Sequence, residues 1–76
     1  MVTAYILIKA NTGEADRLKD EIGGFDDVVD VHVVAGDVDL IAKIDVDSPQ
    51  AVKDLAADRI QSIDGVEDTE TYISMD

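Results

Sequence analysis

Sliding the chain along itself by 38 residues, half its length, superimposes three separate segments. Val2, Ala4, Ile6 and Ile8 fall on Leu40, Ala42, Ile44 and Val46. Leu18, Ile22 and Phe25 fall on Ala56, Ile60 and Ile63, and Phe25-Asp26-Asp27-Val28 falls on Ile63-Asp64-Gly65-Val66. One offset that aligns three segments marks a repeated supersecondary unit, and such self-similarity limits the fold more tightly than any local propensity.

The unit itself is readable. From Val2 to Ala10 apolar residues alternate with a period of two, and both faces are largely apolar, as in a strand covered on each side. Asn11-Thr12-Gly13 offers a turn and a helix cap, and Ala15, Leu18 and Ile22 then make one helical stripe that Gly23-Gly24 ends. A valine-rich strand is expected from about Val28 to Ala35, a turn at Gly36-Asp37, and a third strand from Asp39 to Val46. Ser48-Pro49 is a capping hydroxyl followed by proline at the first helical position. Val52, Leu55, Ala56, Ile60 and Ile63 mark the buried side of that helix, Asp64-Gly65 closes it, and Val66 to Met75 reads as the last strand.

The order β-α-β-β-α-β, built from two copies of one βαβ unit, predicts an α+β ferredoxin-like domain spanning residues 1–76: a four-stranded antiparallel sheet with both helices on one face. The other face has no cover of its own. Tyr5, Leu7, Val34 and Ile41 are its candidates, and an apolar patch of that size calls for a second sheet laid upon it, giving a dimeric αβ-barrel or sandwich.

Association also answers the shortage of core. A chain of 76 residues buries only about 60 to 65% of the surface its unfolded form exposes. Small domains compensate with disulfides, a structural metal or a partner subunit. There is no cysteine, and the single His32 cannot supply the four Cys/His ligands of a structural zinc site.

Charge restricts the partners. Six basic residues face eighteen acidic ones, fourteen of them aspartate, for a net charge of −12. Such a surface repels nucleic-acid phosphates and anionic lipid, so neither direct nucleic-acid binding nor membrane association is expected. We read the aspartate excess as adaptation to a high-salt cytoplasm, as in a halophilic archaeon, where surface carboxylates are screened over short distances; an acidic protein–protein face is the competing reading. The first residues lack the basic start, apolar run and cleavage site of a signal peptide, and no stretch reaches membrane-spanning length, so a soluble cytoplasmic protein is expected.

Residues that could carry chemistry are few. His32 shares a strand face with Asp30 and Val34, and a surface or interface histidine explains it better than a general base without partner or cleft. Asp37 and Asp39 flank Val38 at a spacing that suits a hard cation, but pairs of this kind arise by chance among fourteen aspartates, and no metal is assigned. No catalytic triad, P-loop or G-x-G-x-x-G pattern is present, and no cofactor is implied. Thr69 and Thr71 alternate correctly for a strand and also offer two hydroxyls to a polar ligand.

The run Ala4-Tyr5-Ile6-Leu7-Ile8, the hairpin Val34-Ala35-Gly36-Asp37-Val38-Asp39-Leu40, and the segment from Ile60 to Thr71 together resemble the effector-binding (RAM) domain of the Lrp/AsnC family over essentially the whole chain. The most specific parts are Gly-x-x-Asp at Gly36 and Asp39, and Ile-x-Gly-Val-x-x-Thr-x-Thr ending at Thr71. The chain opens on the first strand of such a domain, so the resemblance points to the stand-alone form without the helix-turn-helix. It implies dimers packed sheet to sheet, rings of dimers such as octamers or decamers, and an amino-acid effector bound where dimers meet. Co-assembly with full-length regulators of the family follows from the shared dimer surface.

Carried over by position, Gly36, Asp37 and Asp39 match the hairpin at the effector pocket, and Thr69 and Thr71 match last-strand residues reaching it from a neighbouring subunit. Carboxylates would hold the ligand's ammonium, while amides beside Gly36 and the threonine hydroxyls would hold its carboxylate. Ala35 stands where a threonine is usual and Val38 where an aromatic is common. The rival for this frame is a small dimeric αβ-barrel enzyme acting on an organic molecule inside each protomer, for which Tyr5 and His32 are the available polar groups.

Overall fold

The computed structural model describes residues 1–76. Its elements are β1 (Val2–Ala10), α1 (Ala15–Gly23), β2 (Val28–Val33), β3 (Leu40–Val46), α2 (Pro49–Lys53) continued by a π-helical stretch (Asp54–Ile60), and β4 (Val66–Ile73). The four strands form one sheet in the order β2-β3-β1-β4, every neighbouring pair antiparallel. This is the expected ferredoxin-like α+β arrangement.

The repeat appears in space as well as in sequence. In the central β1/β3 pair, Ala4 lies opposite Ile44 and Ile6 opposite Ala42, so each half contributes the same positions to the middle of the core. Tyr5 pairs with Lys43, its own equivalent under the 38-residue offset, and the local two-fold relation of the halves passes between these residues.

The core sits between the sheet and the helices. Ala4, Ile6 and Ile8 of β1, Leu40, Ala42, Ile44 and Val46 of β3, and Val31 of β2 face it. Leu18 and Ile22 of α1 and Val52, Leu55, Ala56 and Ile60 of the second helix close it from the other side. No polar or charged residue is buried, so each ion pair is solvated. Period two in the strands and helical spacing elsewhere account for nearly all of this core.

Several local expectations are corrected. The first helix is not capped by the Asn11-Thr12-Gly13 turn: Glu14 is its N-cap and makes no side-chain cap bond. Gly24 at its end keeps right-handed backbone angles, φ −80°, so this stop does not use glycine's left-handed freedom. Strand β2 ends at Val33 and not Ala35, because the hairpin closes with a bond from Val34 N–H to the Asp39 carbonyl at 2.9 Å. The Ser48 cap is present, its hydroxyl accepting the Ala51 N–H at 3.2 Å with Pro49 following. Beyond Lys53 that helix widens, and Gln61 N–H reaches the Ala56 carbonyl five residues back at 3.1 Å. No proline or glycine announces the widening. β4 ends at Ile73, two residues short of Met75.

Two contacts tie the helical segments to each other. Arg17 of α1 pairs with Glu14 and Glu21 and donates to the Asp64 carbonyl at 2.6 Å. The Arg59 guanidinium of the second helix lies over the Phe25 ring that follows α1, 4.6 Å from its centroid, within cation–π range. No helix is long and apolar enough to cross a membrane.

Candidate effector site at the hairpin end of the sheet

The hairpin between β2 and β3 is held against the end of β1 by one side chain. Asp39 donates its own N–H to the Ile8 carbonyl at 3.0 Å and accepts the Ala10 N–H on Oδ2 at 2.8 Å. Ala10 lies beyond Ile8 and Leu40, the last pair of the β1/β3 ladder, so its amide lacks a ladder partner on that side, and the carboxylate supplies one. Immediately beyond, Asn11 N–H donates to the Gly65 carbonyl at 2.8 Å. The end of β1 is thereby joined to the hairpin and to the start of β4 through adjacent residues.

This corner frames a hollow of about 200 Å³ on the sheet face that carries no helix. Asp37 and Val38 wall it from the hairpin, Leu7 and Lys9 form its floor, and Asp68, Thr69 and Glu70 border it from β4. The register explains the grouping: Leu7 lies opposite Glu70 and Lys9 opposite Asp68. Three carboxylates and one ammonium therefore share one small concavity, both signs of charge within reach of a ligand.

Of the site residues expected from sequence, Asp37 and Thr69 line the hollow, but the Thr69 hydroxyl turns to the opposite face. Asp39 sits behind it, half-buried, with one carboxylate oxygen committed to Ala10. Gly36 is exposed at the hairpin tip, with open space where a side chain would stand. Thr69 and Thr71 pair with Ile8 and Ile6, which places both on the helix-covered side of β4. There Thr69 Oγ1 donates to Gln61 Oε1 at 2.9 Å, and Thr71 lines a groove against the second helix. Leu7 is expected from sequence only as part of the uncovered face, and Lys9, Asp68 and Glu70 not at all; alternation reveals their face, while only the register shows that they converge.

No cluster of three His, Cys, Asp or Glu side chains is gathered at metal-binding distances. His32 is exposed, 3.9 Å from Asp30. It pairs across the sheet with Ile41, whereas Tyr5 pairs with Lys43 and Tyr72, and no concavity is lined by both Tyr5 and His32.

On the uncovered face Tyr5 is 40% and Tyr72 57% exposed, and Leu7 and Ile41 lie half-buried between them and the charged rim. Val34, expected there too, is half-buried at the hairpin. Polar pairs edge the patch: Thr3 Oγ1 donates to Asp45 across the β1/β3 ladder at 2.7 Å, and Tyr72 donates to Glu70, two residues back on the same strand, at 2.9 Å. The neighbouring Glu70 carboxylate, as acceptor and as charge, holds the Tyr72 phenol above its ordinary pKa.

The Lrp/AsnC ligand binding domain matches residues 3–76. An uncharacterized HTH-type transcriptional regulator from Pyrococcus abyssi is 32% identical over 97% of this chain and 51% of its own length. The HTH-type transcriptional regulator FL11 of Pyrococcus horikoshii is 31% identical over 92% of this chain and 46% of its own. The chain thus spans about half the length of these curated relatives. Among solved structures, TTHA0845 from Thermus thermophilus superposes with a TM-score of 0.94 at 30% identity, over all of this chain and 95% of that one. A transcriptional regulator from Neisseria meningitidis, solved as an L-Met complex, shares the fold with a TM-score of 0.88 at 16% identity, over 99% of this chain and 50% of its own.

Proposed function

The chain belongs to the Lrp/AsnC ligand binding domain family, and from that premise we propose that it binds a small effector, an amino acid, and works as an oligomer in transcriptional regulation. The observation that carries this reading is the mixed charge of the hairpin hollow, where Lys9 stands among Asp37, Asp68 and Glu70. A zwitterion needs partners of both signs at short range, and that hollow offers them beside the apolar Leu7 and Val38. The curated relatives are transcriptional regulators, and one protein of the same fold is bound to L-Met, which supports an amino-acid ligand.

Assembly follows from the uncovered face. Tyr5, Leu7, Ile41 and Tyr72 form an apolar surface that a second copy buries by packing sheet on sheet. The hairpin hollow lies at the rim of that face, so pairing places it near a neighbouring subunit. Mixed assemblies with full-length regulators of the family would use the same surface, while rings of dimers, octamers or decamers, would need further contacts between dimers.

Calorimetric titration with each of the twenty amino acids, in low and in molar salt, tests the reading. At least one binds, and Asp37→Asn and Lys9→Gln each weaken it by roughly tenfold or more, the scale of a charge-assisted hydrogen bond. If no amino acid binds at either ionic strength, the effector claim fails.

A further inference from the structure

One row of side chains crosses the uncovered face from border to border. His32 of β2 lies opposite Ile41 of β3, Ile41 opposite Leu7 of β1, and Leu7 opposite Glu70 of β4. The sheet order β2-β3-β1-β4 puts His32 and Glu70 at the two ends, with two apolar residues between them. The row has a basic end and an acidic end.

The surroundings sharpen that polarity. Beside His32 stands Asp30, 3.9 Å from its Nε2, and Lys43 lies opposite Asp30 on β3. The residue directly across from the imidazole is the apolar Ile41, and the helices lie on the other face. On β4 the same face carries Asp68, Glu70 and Tyr72, none of them basic, with Lys9 opposite Asp68. Glu70 accepts the Tyr72 hydroxyl on Oε2, which leaves Oε1 free.

Two identical faces laid together are related by a two-fold axis in the plane between them. With the strands of the two sheets aligned, that axis runs either along the strands or across them. An axis along the strands reverses the row, so His32 of one copy lies over Glu70 of the partner subunit, and the contact occurs twice. An axis across the strands brings like ends of the row together, Glu70 toward its own equivalent. In a chain with eighteen acidic residues against six basic ones, the first arrangement relieves repulsion and the second adds to it.

Given the sheet-on-sheet pairing on which this rests, we propose that the two copies meet about the axis along the strands and that His32 makes their association pH-sensitive, its protonated imidazole facing Glu70 of the partner subunit. His32 is 70% exposed in the single chain and stands at the border of the face, so its charge keeps water while it gains a counter-ion. The paired state holds the imidazole proton more tightly than separate chains do. Association therefore strengthens as pH falls through the range in which histidine titrates.

The full chain, fluorescently labelled at its N-terminal amine so that this group no longer titrates, is followed by sedimentation over a dilution series that crosses the dissociation midpoint. Between about pH 8 and about pH 5.5 at low salt the dissociation constant falls roughly fivefold, the scale of two solvated ion pairs, and in about 1 M salt the change disappears. His32→Gln removes the pH dependence, and Glu70→Gln removes it as well. Asp45→Asn takes the same charge from the same face, where Asp45 lies opposite Thr3, and keeps the dependence. Circular dichroism checks the fold of each variant. A constant that does not change with pH, that rises as pH falls, that still responds in His32→Gln, or that loses its response in Asp45→Asn as it does in Glu70→Gln overturns the proposal and leaves sheet-on-sheet pairing standing. Single chains at every concentration and pH overturn both.

Discussion

The Asp39 carboxylate accepts the Ala10 backbone N–H at 2.8 Å, a contact between residues 29 positions apart that fixes the β2–β3 hairpin to the end of β1. Its removal leaves an amide unpaired just past the end of the β1/β3 ladder. Asp39→Ala is therefore expected to cost about 1–3 kcal/mol of stability, and Asp39→Asn, which keeps an acceptor oxygen, distinctly less. Urea denaturation measures the cost. Hydrogen exchange at the Ala10 amide reads the contact directly: fast in Asp39→Ala and close to the original rate in Asp39→Asn.

Gly65 has φ +101°, and a Cβ there would lie 2.6 Å from Arg17 Nη2, the nitrogen that donates to the adjacent Asp64 carbonyl. Gly65→Ala meets both an unfavourable backbone and the Arg17 contact, and should lose about 1–3 kcal/mol. Gly36→Ala is the internal control, since nothing lies within 4 Å of its added carbon. Thermal unfolding that ranks the two variants equally would remove the strain argument.

Leu7 faces away from the helices, between Ile41 and Glu70, so a charge placed there spares the core. Leu7→Lys is expected to remain folded by circular dichroism and to sediment as single 8.2 kDa chains, and the unaltered protein is expected to sediment as a dimer or larger. Sheet-on-sheet pairing is wrong if the variant keeps the original mass.

Tyr72 donates its phenol proton to Glu70, and the phenolate beside that carboxylate is disfavoured, so its pKa is raised above 10.0 in the folded chain. The sign follows from proton binding. The folded state holds this proton more tightly than the unfolded one, so the contribution to stability is complete below pH 10.0 and disappears as pH rises through the folded value. In a Tyr5→Phe background, ultraviolet titration should show the Tyr72 midpoint moving down when Glu70→Ala is added. An unmoved midpoint would mean the pair does not form in solution.

Most of the frame was legible because its signals are periodic. Val2 through Ile8 and Leu40 through Val46 alternate cleanly, Leu18 and Ile22 repeat at Ala56 and Ile60, and all of these except the half-buried Val2 are buried. What escaped depends on relations between segments. The cap of α1 fell to Glu14 because the turn at Asn11 is drawn toward Gly65, a contact 54 positions distant. The π-helical widening has no composition signal, only a shifted hydrogen bond at Gln61.

The candidate site divides in the same way. Asp37 is visible from its hairpin, whereas its companions Lys9 and Asp68 are joined by β1/β4 register, which a single sequence does not encode locally. Thr71 is expected from its motif to reach the effector pocket of a neighbouring subunit, and which way it faces is set by register. Pairing with Ile6 turns it toward the second helix of its own chain.

The irregularity in β2 between Val28 and Asp30 has a consequence for how copies can meet. A straight border strand displays a regular row of amides on which further chains can stack without end, whereas a bulged one, flanked here by the exposed Asp30 and His32, offers no such template. Growth by strand addition is discouraged along that margin. Broad faces are left as the route to contact, and they favour closed, countable particles over fibres.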